Sequence, residues 1–271
     1  MAKSDIRLVV VDIDGTISGE SNDVSDPVRA ALLQVLECGI QVGIATGRMY
    51  RSAEWFHHRI QASMPVSAYQ GALIRHPQEQ KTYQHWQLDR QIAQELITFL
   101  NDYPVIIHVY LEDQLYLKEE THLSQSYAER SRVSAKLLSE LGSKLPGDPT
   151  KVLAMSEDPE LIETLLVQVR HLFPPEKLYL TRSTSTFLEA THPIVNKGQA
   201  VRYLAEEILG LTADQVLTIG DSDNDLEMLA YAGVGVAMGN ANARVKAQAD
   251  WIAPSVEEDG VVSALEKFVL G

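Results

Sequence analysis

Leu8-Val9-Val10-Val11-Asp12-Ile13-Asp14-Gly15-Thr16 is the stretch that decides the fold of this chain. Four consecutive aliphatic residues read as a buried strand of a parallel sheet covered on both faces. Two aspartates one residue apart stand at its exit, and Gly15 then allows a sharp turn. An unpaired carboxylate at a buried strand end is costly, and two together are worse unless a cation lies between them. Hard oxygen ligands of this kind suit Mg²⁺, whose shell is commonly shared with a phosphate. The carboxyl ends of parallel strands are also where open α/β sheets place their ligands. An isolated Asp-x-Asp can equally be a turn former, so the reading depends on what lies downstream.

Downstream stands Val216-Leu217-Thr218-Ile219-Gly220-Asp221-Ser222-Asp223-Asn224-Asp225, with the same layout of a short apolar run, a Gly and carboxylates. Leu226, Met228 and Leu229 follow at helical spacing, so a helix is expected from near Asn224, with Asp223 as its candidate N-cap. A calcium loop of the EF-hand type is excluded, because the later Gly and Glu of that pattern are missing. Between the clusters, Ile40-Gln41-Val42-Gly43-Ile44-Ala45 reads as a second strand, ending in Thr46-Gly47-Arg48. The Thr46 hydroxyl, the amides around Gly47 and the Arg48 cation could all donate to a phosphate. Asn196-Lys197-Gly198 opens a helix running through Ala200, Val201, Leu204, Ala205 and Ile208 to Gly210. A lysine in a first helical turn opposes the helix dipole, a broken local rule of the sort that marks functional positions.

In their order along the chain, Asp-x-Asp-Gly-Thr at 12–16, Thr46, Lys197 and Gly-Asp-Ser-Asp-Asn-Asp at 220–225 resemble the haloacid dehalogenase superfamily of phosphotransferases. With Ala237-Met238-Gly239-Asn240-Ala241 and Glu258-Asp259-Gly260, the chain is similar to the Cof-type branch. Those are sugar-phosphate phosphatases with a large cap of the α/β (C2) type between the second and third motifs. The resemblance covers roughly residues 5–75 and 186–270. It departs at Gln70-Gly71-Ala72, where many relatives carry Asn-Gly-Ala.

The resemblance implies a Mg²⁺-dependent phosphohydrolase acting on small phosphate esters through an aspartyl-phosphate. In that scheme Asp12 is the nucleophile. Asp14 is the general acid and base, its pKa raised by Asp12 with Mg²⁺ counteracting. The metal is held by the Asp12 carboxylate, the Asp14 backbone carbonyl and Asp221. Thr46 and Lys197 hold the phosphate oxygens, with Gly47, Arg48 and Asn224 as further substrate contacts and Asp225 orienting a metal-bound water or Lys197. A phosphomutase of the same superfamily would keep all these residues. A receiver-type signalling module also uses an acidic pocket with a Thr and a Lys, but lacks the second carboxylate two residues after the nucleophile.

The rest of the chain reads as a split α/β protein, a doubly wound Rossmann-like parallel sheet with an inserted α+β cap. Residues 1–84 and 190–271 are expected to form the core and 85–189 the cap. Asp26-Pro27 is a plausible helix cap, followed by a stripe at Val28, Ala31, Leu32, Val35 and Leu36 that Gly39 closes. Met64 to Ile74 reads as one strand before a turn at 76–80. Within the cap the pattern predicts a helix at 91–100, a hairpin at 105–118, a loop at 146–149, a strand at 151–155, a helix at 160–172 and strands at 178–180 and 186–190. His57 and His58 lack further zinc-type ligands nearby. Ser124, Ser126 and Ser183 have no nucleophile-elbow context. Arg130-Ser131-Arg132 reads as a solvated basic spot, and Arg182 stands between two cap strands.

Composition sets limits. The chain has 271 residues, 45% hydrophobic and 22% charged, with a formal net charge of −14. That charge argues against nucleic-acid or anionic-membrane partners and favours a small-molecule phosphate ester drawn in by local cations. The polar start Ala2-Lys3-Ser4-Asp5, the absence of a signal-peptide or membrane-spanning pattern, and the single Cys38 lead to a cytoplasmic expectation.

Overall fold

The computed structural model describes residues 5–141 and 145–271, so the polar lead at Ala2–Ser4 lies outside the described residues. In chain order the strands are β1 (Leu8–Val11), β2 (Gln41–Ala45), β3 (Val66–Ala68), β4 (Leu73–His76), β5 (Lys81–His85), β6 (Ile106–Leu111), β7 (Gln114–Leu117), β8 (Ala135–Leu137), β9 (Lys151–Met155), β10 (Tyr179–Thr181), β11 (Phe187–Thr191), β12 (Val216–Gly220), β13 (Val234–Ala237) and β14 (Trp251–Ile252). The helices are α1 (Asp26–Glu37), α2 (Tyr50–Arg59), α3 (Arg90–Leu100), α4 (His122–Ser131), α5 (Pro159–Leu172), α6 (Lys197–Arg202), α7 (Leu226–Tyr231), α8 (Ala243–Gln248) and α9 (Gly260–Leu265).

These elements build two sheets. One has the order β14-β13-β12-β1-β2-β3-β4-β5, the other β10-β11-β9-β6-β7-β8. In the first, β14 through β3 run parallel, whereas β3, β4 and β5 form an antiparallel edge. All four residues of β1 are buried, because β1 lies between β12 and β2 with helices on both faces. Val9 and Val11 pack with α1 and α9, while Leu8 and Val10 pack with α6 and Met228. The expected fold class therefore stands, with a mixed rather than wholly parallel sheet.

Three details differ from the sequence expectation. The strand expected at 64–74 is two strands joined by a turn in which Tyr69, Gln70 and Gly71 have φ of +53°, +63° and +104°. Ser25, not Asp26, caps α1, accepting from the Val28 amide. Helix α4 and strand β8 have no counterpart in the expected cap elements; α4 buries only Ser124 and Ser131, so no apolar stripe announces it. The hairpin, β9, α5 and the two last strands of the second sheet fall where expected, with Asp89 and Asp158 capping α3 and α5. The turn between β6 and β7 holds Glu112 and Asp113 at φ of +49° and +56°, the twist that a two-residue hairpin needs.

The chain passes between the two sheets twice, after β5 and after β11. At those crossings the Trp86 and His192 rings lie 5.0 Å apart. The second sheet turns its β6, β9 and β11 face toward the C-terminal ends of β1 and β2. Tyr69 and Tyr110 meet there edge to face at 5.5 Å, and the Tyr69 hydroxyl donates to Asp113 at 2.7 Å. No helix among the described residues is long and apolar enough to cross a membrane.

Two histidines are buried in this frame. His57 Nε2 donates to the Met64 carbonyl at 2.9 Å, and His108 packs against Tyr127 with neither ring nitrogen hydrogen-bonded. Burial lowers the first to about 4 and the second to about 3. The unfolded chain takes up their protons near pH 6.5 while the native state refuses them, so their contribution is full above that pH and falls as pH drops toward 4. His57 alone should remove about 2 kcal/mol between pH 7 and pH 5. Urea denaturation of His57→Gln at both pH values should show a pH dependence reduced by about that amount, and an unchanged dependence would contradict the assignment.

Candidate active site

The exits of β1, β2 and β12 and the first turn of α6 converge on one point. Lys197 is the first residue of α6, behind the cap Asn196, whose side chain accepts from the Gln199 amide. Its side chain is fully buried. The ammonium lies 2.6 Å from Asp225 Oδ1 and 2.9 Å from Asp12 Oδ1. Burial alone would lower its pKa, but the Asp12 and Asp225 charges more than offset that and keep it protonated. The helix-dipole penalty noted in the sequence is thus answered by two carboxylates.

Asp12, Asp221 and Asp225 each place an oxygen within 4.8 Å of the other two. One ammonium cannot neutralise three carboxylates, and two negative charges are left over. Asp221 Oδ1 is buried without a hydrogen-bond partner. Burial, then repulsion from Asp225, pushes the Asp221 carboxyl up to about 7, and burial likewise raises Asp12. An oxygen-only donor set, an orphaned buried carboxylate oxygen and a deficit of two charges together fit a divalent cation. Gly15 is required beside it: with φ at +74°, a Cβ there would stand 2.2 Å from Asp221 Oδ2. Asn240 Nδ2 bridges the Gly15 carbonyl at 2.9 Å and Asp221 Oδ2 at 3.3 Å, holding the two motifs together.

The Asp14 carboxylate points elsewhere. Arg48 grips it with two bonds, Nε to Oδ2 at 2.8 Å and Nη2 to Oδ1 at 2.6 Å. Burial would raise its pKa, but the Arg48 hydrogen bonds and charge, then Arg130 and Lys197, lower it instead. The expectation that Asp12 raises Asp14 is corrected here, because a bidentate guanidinium outweighs a neighbouring carboxylate. Arg48 also donates to Asn22 Oδ1 at 2.8 Å and to Ser52 Oγ at 3.2 Å. Asn22 in turn donates to the Arg130 carbonyl, and its own carbonyl accepts from Arg132.

Beside these groups lies a cavity of about 190 Å³. Asp12, Asp14, Thr46, Gly47, Arg48 and Asn224 line it from the first sheet. Thr46 is buried, and its Oγ1 accepts from the Arg48 amide at 3.2 Å. Asn224 is tied to Gln70, donating through Nδ2 to Oε1 at 3.0 Å. Asp223 is no helix cap: Ser222 and Asp225 form the capping box, while Asp223 accepts from Asn242 and lies 3.5 Å from Arg182. Asp225 Oδ2 accepts from the Asp221 and Ser222 amides at 2.9 Å, so its role in shaping the loop is built in.

The opposite wall comes from the second sheet and α4, through Tyr127, Arg130, Lys151, Ser183, Phe187 and Glu189. Sequence reasoning missed most of this wall. Arg130 and Arg132 are exposed, as the basic-spot reading expected, but Arg130 also stands 3.8 Å from Asp14 at the cavity edge, and Arg132 lies over the Trp55 ring at 3.5 Å. Arg182 pairs with Glu163 and does not line the cavity. Lys151 and Glu189 form a buried ion pair at 2.8 Å. Burial would raise Glu189, but Lys151, Ser183 and Gln70 hold it below the usual range. A lysine opening an apolar strand and a glutamate inside another are breaks in pattern that could have flagged both.

The haloacid dehalogenase-like hydrolase family profile matches residues 9–265. The chain belongs to that family. It is 27% identical over 268 residues to a 5-amino-6-(5-phospho-D-ribitylamino)uracil phosphatase of Bacillus subtilis, covering 96% of this chain and 97% of the relative. It is 26% identical to a phosphoglycolate phosphatase of Methanoculleus marisnigri, with 97% of each covered. A crystal structure of a haloacid dehalogenase-like hydrolase from Bacteroides thetaiotaomicron superposes with a TM-score of 0.85 at 25% identity, covering 97% of this chain and 99% of that one. The chain is accordingly an enzyme of the phosphatase branch of the haloacid dehalogenase-like hydrolases.

The charge deficit gives a direct test. Asp221 titrates above its unfolded value, so metal-free protein should lose stability as pH rises from about 4 to about 7. At pH 8 without metal, Asp221→Asn should be more stable than wild type by on the order of 1 kcal/mol or more. It should also lose the rise in Tm that divalent cation gives wild type. A destabilised variant that still responds to cation would contradict the site.

Proposed function

We propose that the protein is a Mg²⁺-dependent phosphohydrolase of small phosphate monoesters, with sugar and polyol phosphates as the substrate class. The observation that carries the reading is the deficit of two charges around Lys197, next to a cavity into which Asp12 and Thr46 both open. Asp12 and Asp221 would hold the metal, with Asp225 beside them, and the metal would supply charge neutralisation of the incoming phosphate. Asp14 is in this reading a ligand through its backbone only, since Arg48 occupies its carboxylate.

In this reading Asp12 attacks phosphorus and carries the phosphoryl group as an acyl phosphate, which water then cleaves. Lys197 keeps Asp12 oriented and faces the phosphate oxygens as charge shifts. The Thr46 hydroxyl, the Gly47 backbone, Arg48 and Asn224 surround the remaining oxygens. An arriving phosphate competes with Asp14 for Arg48, and Asp14 so released can protonate the leaving alcohol and later take a proton from water. Residues 85–189 act as a cap that closes over the site and excludes bulk water, with 1–84 and 190–271 as the core. Hydroxyls of Ser183 and Thr184 and the rings of Tyr127 and Phe187 suit a leaving group rich in hydroxyls with one apolar face. The named phosphatase of ribitylaminouracil phosphate, a polyol phosphate, agrees with that class.

The test is phosphate release from a panel of monoesters. Activity should vanish in EDTA, return with Mg²⁺ or Mn²⁺, and favour sugar and polyol phosphates over aryl phosphates. Full turnover in metal-free buffer would overturn the mechanism. Transfer to a second hydroxyl of the sugar without release would replace hydrolase by mutase.

A further inference from the structure

Gln70 sits at the centre of a ring of hydrogen bonds that joins the two sheets around the phosphate-binding loop. Its backbone amide donates to the Thr46 carbonyl at 2.9 Å, and the preceding Tyr69 amide donates to the Arg48 carbonyl at 2.9 Å. The left-handed backbone at 69–71 turns the Gln70 side chain inward, where it is buried against Gly47. Gln70 Nε2 then donates to Glu189 Oε2 at 3.3 Å. Glu189 accepts from Lys151 Nζ at 2.8 Å, and Lys151 Nζ donates to the Gly47 carbonyl at 2.7 Å, which closes the ring. Ser183 satisfies the other Glu189 oxygen, its hydroxyl donating at 2.6 Å.

The direction of each bond is forced. An ionised carboxylate only accepts, so Glu189 requires the NH₂ of Gln70 to face it. The Gln70 carbonyl oxygen must then face Asn224, and this fixes which end of the Asn224 amide is the donor. The contact between Lys151 and Gly47 holds the loop of Thr46, Gly47 and Arg48 from the other side. Two of the ring members, Lys151 and Glu189, belong to the second sheet, so the ring exists only while that sheet is seated on the first.

We propose that Gln70 is a positioning residue that couples seating of the cap, through Glu189 and Lys151, to the orientation of Asn224 and the 46–48 loop. The inference rests on the phosphatase reading and adds to it a reason for the glutamine. Gln70 spans Asn224 and Glu189 with contacts of 3.0 and 3.3 Å, and an asparagine, one methylene shorter, would give up about 1.5 Å of that reach.

The test uses the full chain with Mg²⁺, p-nitrophenyl phosphate as substrate and orthovanadate as the phosphate mimic. Gln70→Asn and Gln70→Met should each lower kcat by about tenfold with a smaller change in KM. Adding Glu189→Gln to either should cost less than about twofold more, because the bonds act as one unit. In wild type, orthovanadate should slow hydrogen exchange at Gly47–Arg48 and at 187–191 with one shared midpoint, and the Gln70 variants should lose the protection at 187–191. A lowered Tm with kcat unchanged, or losses that multiply in the double variant, would overturn the coupling. So would two separate midpoints in wild type, a measurement that needs no variant to fold. A wild-type protein that hydrolyses no ester overturns the phosphatase reading itself, whereas an active wild type with uncoupled variants overturns this inference alone.

Discussion

One buried ammonium faces two buried carboxylates with a third, partly buried one beside them, and much of the architecture is arranged to make that contact. Lys197 reaches Asp12 and Asp225 because α6 starts where β1 and β12 end side by side in the sheet. Gly198 lets α6 approach α7 closely, since a Cβ there would stand 2.6 Å from the Glu227 carbonyl oxygen. Breaking a buried ion pair costs about 3–5 kcal/mol because the surviving charge has no partner. The residual negative charge makes the same cluster an attractive place for a divalent cation.

Cations are scarce in a chain of net charge −14, yet several line the site. Arg48 and Lys197 come from the first sheet and its helices, Arg130 and Lys151 from the opposite wall. Each is committed to a carboxylate or carbonyl in this structure, which keeps the cavity locally balanced. A phosphate ester entering with its own charge meets donors that are already oriented, which lowers the cost of ordering them. The long-range field of the protein repels anions; the short-range field of the site does not.

Much of the first sheet was legible because its strands carry continuous aliphatic runs that end in unusual residues. Asp12, Asp14, Thr46 and Asp221 stand just beyond such ends and Lys197 opens α6, so all five lie where β1, β2, β12 and α6 converge. Their grouping around one cavity and one charge cluster follows from the strand order β12-β1-β2, which sets the three strand exits side by side. The partner of Asp14 was not legible, since a bidentate contact with Arg48 depends on how two loops meet rather than on spacing. The opposite wall was harder still. Helix α4 has no apolar stripe, so the segment bearing Tyr127 and Arg130 gave no periodic signal. Lys151 and Glu189 are distant in sequence and meet only across paired strands.

Under the proposed function Asp12, held by Lys197 beside the acidic cluster, becomes covalently phosphorylated during turnover. Acid quench of the Mg²⁺-loaded protein during hydrolysis of a slow ester, followed by peptide mass mapping, tests this directly. One phosphoryl group is expected on the peptide containing Asp12 and none in Asp12→Asn. Phosphate release with no phosphorylated peptide, or with the group on another residue, would contradict it.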